Sequence, residues 1–79
     1  MTPAQISMAT ALARVTFTPA SNTKRFARDM ADLATQKPDH PLTQRQAQYL
    51  AEACVRYRRQ IPAEVVAMAR AALPREDGN

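Results

Sequence analysis

Six prolines divide this chain more firmly than any apolar pattern does. Proline has no N–H to donate, and it disfavours helix at the residue before it. Pro3, Pro19, the Pro38/Pro41 pair, Pro62 and Pro74 therefore cut the 79 residues into four segments, each of helical length. The single glycine, Gly78, argues against hairpins, P-loops and dinucleotide-binding folds. The expected fold is all-α: a small four-helix, bundle-like single domain over residues 1–74 with short proline-marked turns. Residues 75–79 are expected to be a polar tail without fixed structure.

A chain this short buries only about 60–65% of its unfolded surface, so it needs efficient helix packing or a partner. Aromatics are 5% of the residues, which leaves Ala, Leu, Ile, Val and Met to build the core. One cysteine forms no intrachain disulfide, and one histidine with one cysteine makes no zinc site. No metal or cofactor is expected. No apolar run approaches the length of a membrane span, and the first residues lack the pattern of a signal peptide. The expected location is therefore the cytoplasm. The formal net charge of +4 suits nucleic acid or an acidic protein face, and it also suits plain solubility.

The first helix opens on Thr2-Pro3-Ala4-Gln5, a capping box with proline at the first helical position. Ile6, Ala9, Leu12, Ala13 and Thr16 fall on one face, with Phe17 at its edge. A second stripe, Ala4, Met8, Ala11 and Val15, lies on another face. A helix apolar on two faces is either central in its bundle or meets a partner, and the central place is the expected one. In the other case Met8, Ala11 and Val15 form an apolar interface, as in a homodimer. Strand-like residues at Arg14–Thr18 leave that end open between frayed helix and extended chain.

Thr18 or Ser21 caps a second helix running to about Gln36. Phe26, Ala27, Met30, Leu33 and Ala34 face in. Lys24, Arg25, Arg28 and Asp32 face out, with Arg25–Asp29 and Arg28–Asp32 as i,i+4 pairs. Lys37-Pro38-Asp39-His40-Pro41 is a turn in which His40 is a solvated loop residue. A third helix begins with the capping box Thr43-Gln44-Arg45-Gln46 and is expected to continue for about 17 residues, to Pro62. Its inner face is Ala47, Leu50, Ala53, Cys54, Tyr57 and Ile61, which makes Cys54 a small buried hydrophobe. In the fourth helix Val65, Met68, Ala69 and Ala72 face in, with Val66 and Leu73 widening the stripe.

The outer face of the third helix carries Arg45, Tyr49, Glu52, Arg56 and Arg59, and it is the candidate binding surface. Guanidinium groups bind phosphate bidentately, and an exposed tyrosine stacks on a base or bonds to phosphate. The same residues suit an acidic protein groove. They also suit a solvated face on which Glu52 pairs with Arg56. Lys24, Arg25 and Arg28 form a secondary basic group. A helix-turn-helix reading fits poorly, because the third helix is long and the alanine-rich fourth presents little to base edges. Enzyme readings fail by inventory: no paired carboxylates, serine–histidine arrangement or phosphate loop has a recognisable spacing.

The run Lys24-Arg25-Phe26-Ala27-Arg28, then Pro41-Leu42-Thr43 with Gln46, Tyr49-Leu50 and Tyr57-Arg58-Arg59-Gln60-Ile61-Pro62, resembles small uncharacterised helical proteins of bacteriophages and prophages. The resemblance covers roughly residues 22–62, about half of the chain. It implies a mobile-element context in a bacterial host cell. Small phage proteins of this kind often act by binding, as repressor-like regulators or as inhibitors of host defence, anti-CRISPR proteins included. No residue roles are carried over from the group. The expectation is a non-catalytic accessory protein that blocks or modulates a host nucleic-acid-handling complex through protein contact. A direct DNA- or RNA-binding regulator and a structural homo-oligomeric subunit are the alternatives.

Overall fold

Both capping boxes form, and each fixes where its helix begins. Thr2 Oγ1 accepts from the Gln5 N–H at 3.1 Å while Gln5 Oε1 accepts from the Thr2 N–H at 2.9 Å. Thr43 and Gln46 repeat the exchange at 3.0 Å in both directions. Two of the otherwise orphaned donors at each helix start are thereby satisfied. The computed structural model describes residues 1–73, so the tail expected at 75–79 lies outside the described residues. Four α-helices occur: α1 (Pro3–Leu12), α2 (Asn22–Gln36), α3 (Gln44–Arg56) and α4 (Ala63–Ala72). A 3-10 turn, Arg58–Gln60, lies between α3 and α4, and no strand occurs among the described residues. The fold is all-α, as the proline spacing predicts.

α1 is the hub. α2, α3 and α4 all pack against it, and α3 and α4 also pack on each other. Its two apolar stripes are therefore both used inside the molecule. Ala9 and Leu12 from one, and Met8 and Val15 from the other, are all buried in the core. This corrects the reading of Met8, Ala11 and Val15 as a partner interface. Met8 and Val15 are buried, and Ala11 is half-buried against the same core. Ala13 and Thr16 leave the expected inner face because the helix stops at Leu12. The Ala13 N–H still reaches Ala9, but those of Arg14 and Val15 bond three residues back rather than four, to Ala11 and Leu12, so the end is a tightened turn. Residues 16–18 beyond it have no regular structure.

The α1–α2 connection is held from a distance. Gln60, far along the chain, presents its side-chain amide to Thr16 as a second backbone would: Oε1 accepts from the Thr16 N–H at 2.9 Å and Nε2 donates to the Thr16 carbonyl at 3.4 Å. The chain then turns through Pro19 and Ala20, closed by the Ser21 N–H on the Thr18 carbonyl at 3.2 Å. Ala20 takes a positive φ of 67°, the position that a type II turn reserves for glycine. Ser21 is the residue at the start of α2, but its hydroxyl makes no capping bond there. At the other end of α2, the Met1 ammonium donates to the Pro38 and His40 carbonyls, both at 2.7 Å.

The third helix is shorter than its apolar pattern predicts. α3 ends at Arg56, and Tyr57 leaves helical geometry at φ −101°, ψ 29°. Pro62 accounts only for the far end of this break: the residue before a proline is pushed out of the helical region, and Ile61 is extended at φ −118°, ψ 138°. Between Tyr57 and Ile61 the chain makes one 3-10 turn, Arg58–Gln60. Arg58 Nη1 donates to the Val55 carbonyl at 3.3 Å and caps the end this leaves. The break still delivers Ile61 to the core. In α4 the buried positions are Val65, Val66 and Ala69. Burying both valines rotates the helix, so Met68 (38% exposed) and Ala72 swing away from the inner face that periodicity assigned them.

Replacing Ala20 by glycine relieves a left-handed cost of about 1–2 kcal/mol and gives back about 0.5–1 kcal/mol of chain entropy. The expected outcome for Ala20→Gly is a melting temperature higher by about 2–8 °C in a thermal unfolding scan.

Candidate functional site

The Thr43 capping box sets the phase of α3, and that phase places Arg45, Tyr49, Glu52 and Arg56 on one exposed ridge at i, i+4, i+7 and i+11. Shallow surface depressions run along it. Arg45, Tyr49 and Glu52 line one with Gln44 and Gln48. Tyr49, Glu52 and Arg56 line the next with Thr23 and Ala53. Arg56 also borders a third, with Tyr57, Arg58, Arg59 and Gln60. Arg59 thus reaches the site from the 3-10 turn and not from the helix face on which periodicity placed it. Arg58, which is not among the residues periodicity placed on that face, joins the same depression. The signal for it was a basic side chain just ahead of the Pro62 break, where the last carbonyls of a helix await a donor.

Tyr49 is less free than the ridge implies. Its ring stacks on Phe26 with centroids 4.3 Å apart and planes at 20°. Its hydroxyl is 3.3 Å from Thr23 Oγ1, the one buried polar side chain among the described residues. One face of the ring and the polar tip are both engaged in holding α2 to α3. Glu52 accepts from Gln48 Nε2 at 3.2 Å. That partner is a neutral amide, so the carboxylate charge stays on the ridge between the Arg45 and Arg56 guanidiniums. Arg45 stands in the first turn of α3, which holds no acidic residue, so it meets the positive end of the helix dipole.

Lys24, Arg25 and Arg28 are exposed on α2. Lys24 and Arg28 line a different depression, bounded by Val15, Thr16, Phe17 and Asp32. It lies on the flank of α2 away from the Phe26–Tyr49 stack. Cys54 is fully buried, with Sγ 3.8 Å from the Met8 carbonyl. Burial pushes its thiol up to about 11. His40 is exposed in its turn, and among the described residues no group of three or more His, Cys, Asp or Glu could hold a metal ion. No helix among them is long and apolar enough to cross a membrane. Comparison of the chain with protein-family models, curated proteins and solved structures finds no match.

Two measurements check these assignments. The folded thiol ionises near 11 and the unfolded one near 9, so the unfolded chain binds fewer protons between those values. Stability contributed by neutral Cys54 is present below pH 9 and is lost as pH rises through 11, by roughly 2–3 kcal/mol. Denaturant titrations across this range are expected to give a flatter pH dependence for Cys54→Ala than for the parent chain. Tyr49→Ala removes the stack and leaves the buried Thr23 hydroxyl unpartnered. Its expected unfolding free energy is lower by about 2–4 kcal/mol, whereas Tyr49→Phe, which keeps the ring, loses about 1 kcal/mol.

Proposed function

We propose that the protein is a non-catalytic binding protein whose Arg45–Glu52–Arg56 ridge, extended by Arg59, docks on an acidic protein surface. The observation that carries this reading is the sign alternation along the ridge, with Glu52, hydrogen-bonded by the neutral Gln48 amide, between two arginines. A phosphate backbone offers one sign of charge and repels Glu52. A protein face can match all three charges, and Arg with a partly buried Tyr is a favoured anchor set. The engagement of one face of the Tyr49 ring by Phe26 leaves less of it for base stacking. With the resemblance to small phage proteins, this supports an accessory protein of the anti-CRISPR type. Acting in the bacterial cytoplasm, it blocks or modulates a host nucleic-acid-handling complex by contact with one of its proteins.

A second reading rests on the corner where Arg56, Arg58 and Arg59 border one depression. Three guanidiniums at one helix end suit direct contact with DNA or RNA phosphates. Salt separates the two readings: duplex affinity falls with a log–log slope of about −0.9 per phosphate contacted.

The primary test is recovery of partners from host extract by the tagged protein and by an Arg45→Ala/Arg56→Ala/Arg59→Ala variant. The parent is expected to retain a partner that the variant loses, and equal recovery would sink the role of the ridge. Arg45→Glu sharpens the test by separating stability from binding. It places an acid in the first turn of α3, so the fold gains about 0.5–2 kcal/mol, while partner recovery falls.

A further inference from the structure

We propose that the groove between the segment that follows α1 (residues 13–17) and the flank of α2 is a second docking surface, fitted to an acidic–apolar segment of a partner protein. It does not depend on the α3 ridge. α2 separates the two: Lys24, Arg28 and Ala31 line this groove on one flank, and Phe26 meets Tyr49 on the other.

The floor is apolar and the walls are fixed. Val15 and Ala27 are buried beneath it, and half-buried Phe17 and Ala31 border the open part. Ala27 and Ala31 are one helical turn apart, and their small side chains leave a trough where larger residues would fill the space. The groove encloses about 400 Å³, enough for an apolar side chain or two and near the low end of ligand-site volumes. Gln60 holds both backbone groups of Thr16, and Phe17 meets the Tyr57 ring edge-on at 4.8 Å and 76°. A wall already held in place loses little freedom when a ligand arrives.

The rim decides the occupant. Lys24 and Arg28 stand on successive turns of α2, both exposed, and their stems can lie over the apolar floor with the charges at its edge. Asp32 follows one turn later, so the sign of charge reverses along the groove. An occupant matched to this pattern places carboxylates beside Lys24 and Arg28 and an apolar side chain over Ala27 and Ala31. It carries no acid at the Asp32 end. A continuous anion such as a nucleic-acid backbone fails the last condition, and a purely apolar ligand leaves the two cations unmatched.

The experiment uses the full chain and a short fluorescein-labelled peptide with a leucine–phenylalanine pair preceded by glutamates. A second peptide has lysines in place of the glutamates. The expected result is saturable anisotropy with the glutamate peptide, with amide shifts of the isotope-labelled protein confined to residues 13–17 and 24–32. Lys24→Glu/Arg28→Glu is expected to weaken binding at least about tenfold by charge reversal. Ala31→Phe should weaken it comparably by filling the trough without changing charge. Circular dichroism confirms that each variant folds, and the two act by different means, so loss of one leaves the other. Arg45→Ala/Arg56→Ala is expected to bind as the parent does. The proposal is overturned by absence of saturable binding, by equal affinity for the lysine peptide, or by shifts that map to the α3 ridge. Failure of the α3 reading instead shows only in partner recovery by the ridge variants.

Discussion

Met8, Ala9 and Leu12 lie within one turn of each other, all buried, and the three other helices are packed around the helix that carries them. This arrangement depends on α1 having almost no charge. Arg14, just past its end, is the first charged side chain in the sequence, so α1 can be surrounded without burying an ion. Short side chains on a central helix also let its neighbours approach closely. That compensates for a core with few aromatics. The rest of the architecture is a consequence: α2 packs on α1, while α3 and α4 close around it and against each other.

Because α2 leans chiefly on α1, its position relative to α3 is set by a few specific contacts. The Phe26–Tyr49 stack and the Thr23–Tyr49 hydrogen bond join the two helices. The Gln60 amide holds the loop that enters α2, and the Met1 ammonium holds the turn that leaves it. These are exposed or part-buried polar and aromatic contacts, each worth about 1 kcal/mol. They place α2 so that one flank borders the α3 ridge and the other borders the α1–α2 groove. Tyr49 therefore has two roles. It supports the fold with its ring and hydroxyl, and it lends its remaining exposed edge to the ridge.

The charges follow a different logic from the packing. Acidic residues are absent from the first turns of α1, α2 and α3, while Arg45 occupies the first turn of α3 and Lys24 that of α2. Cations at these positions oppose the helix dipole and reduce stability. Arg58, by contrast, caps the end of α3 and stabilises it. The placement of Arg45 and Lys24 gains nothing for the fold, whereas Arg56, in the last turn of α3, is favoured there by the dipole.

The sequence by itself determined the features that depend on near neighbours along the chain. The capping residues Thr2 and Thr43 act on donors three residues away, and Pro62 acts on the residue before it. Helix starts, the all-α class and the shared face of Arg45, Tyr49, Glu52 and Arg56 were legible for that reason. The tertiary structure decided whatever needed a distant partner. Periodicity showed two apolar stripes on α1 but not that both would be covered from within. It showed Tyr49 on an outer face but not Phe26 lying against it, and it carried α3 past Arg56 because Tyr57 and Ile61 fit the stripe. Met68 was assigned inward for the same reason, yet Val65 and Val66 claimed the core. A stripe records which face is apolar; what covers that face depends on helices joined to it only through the fold.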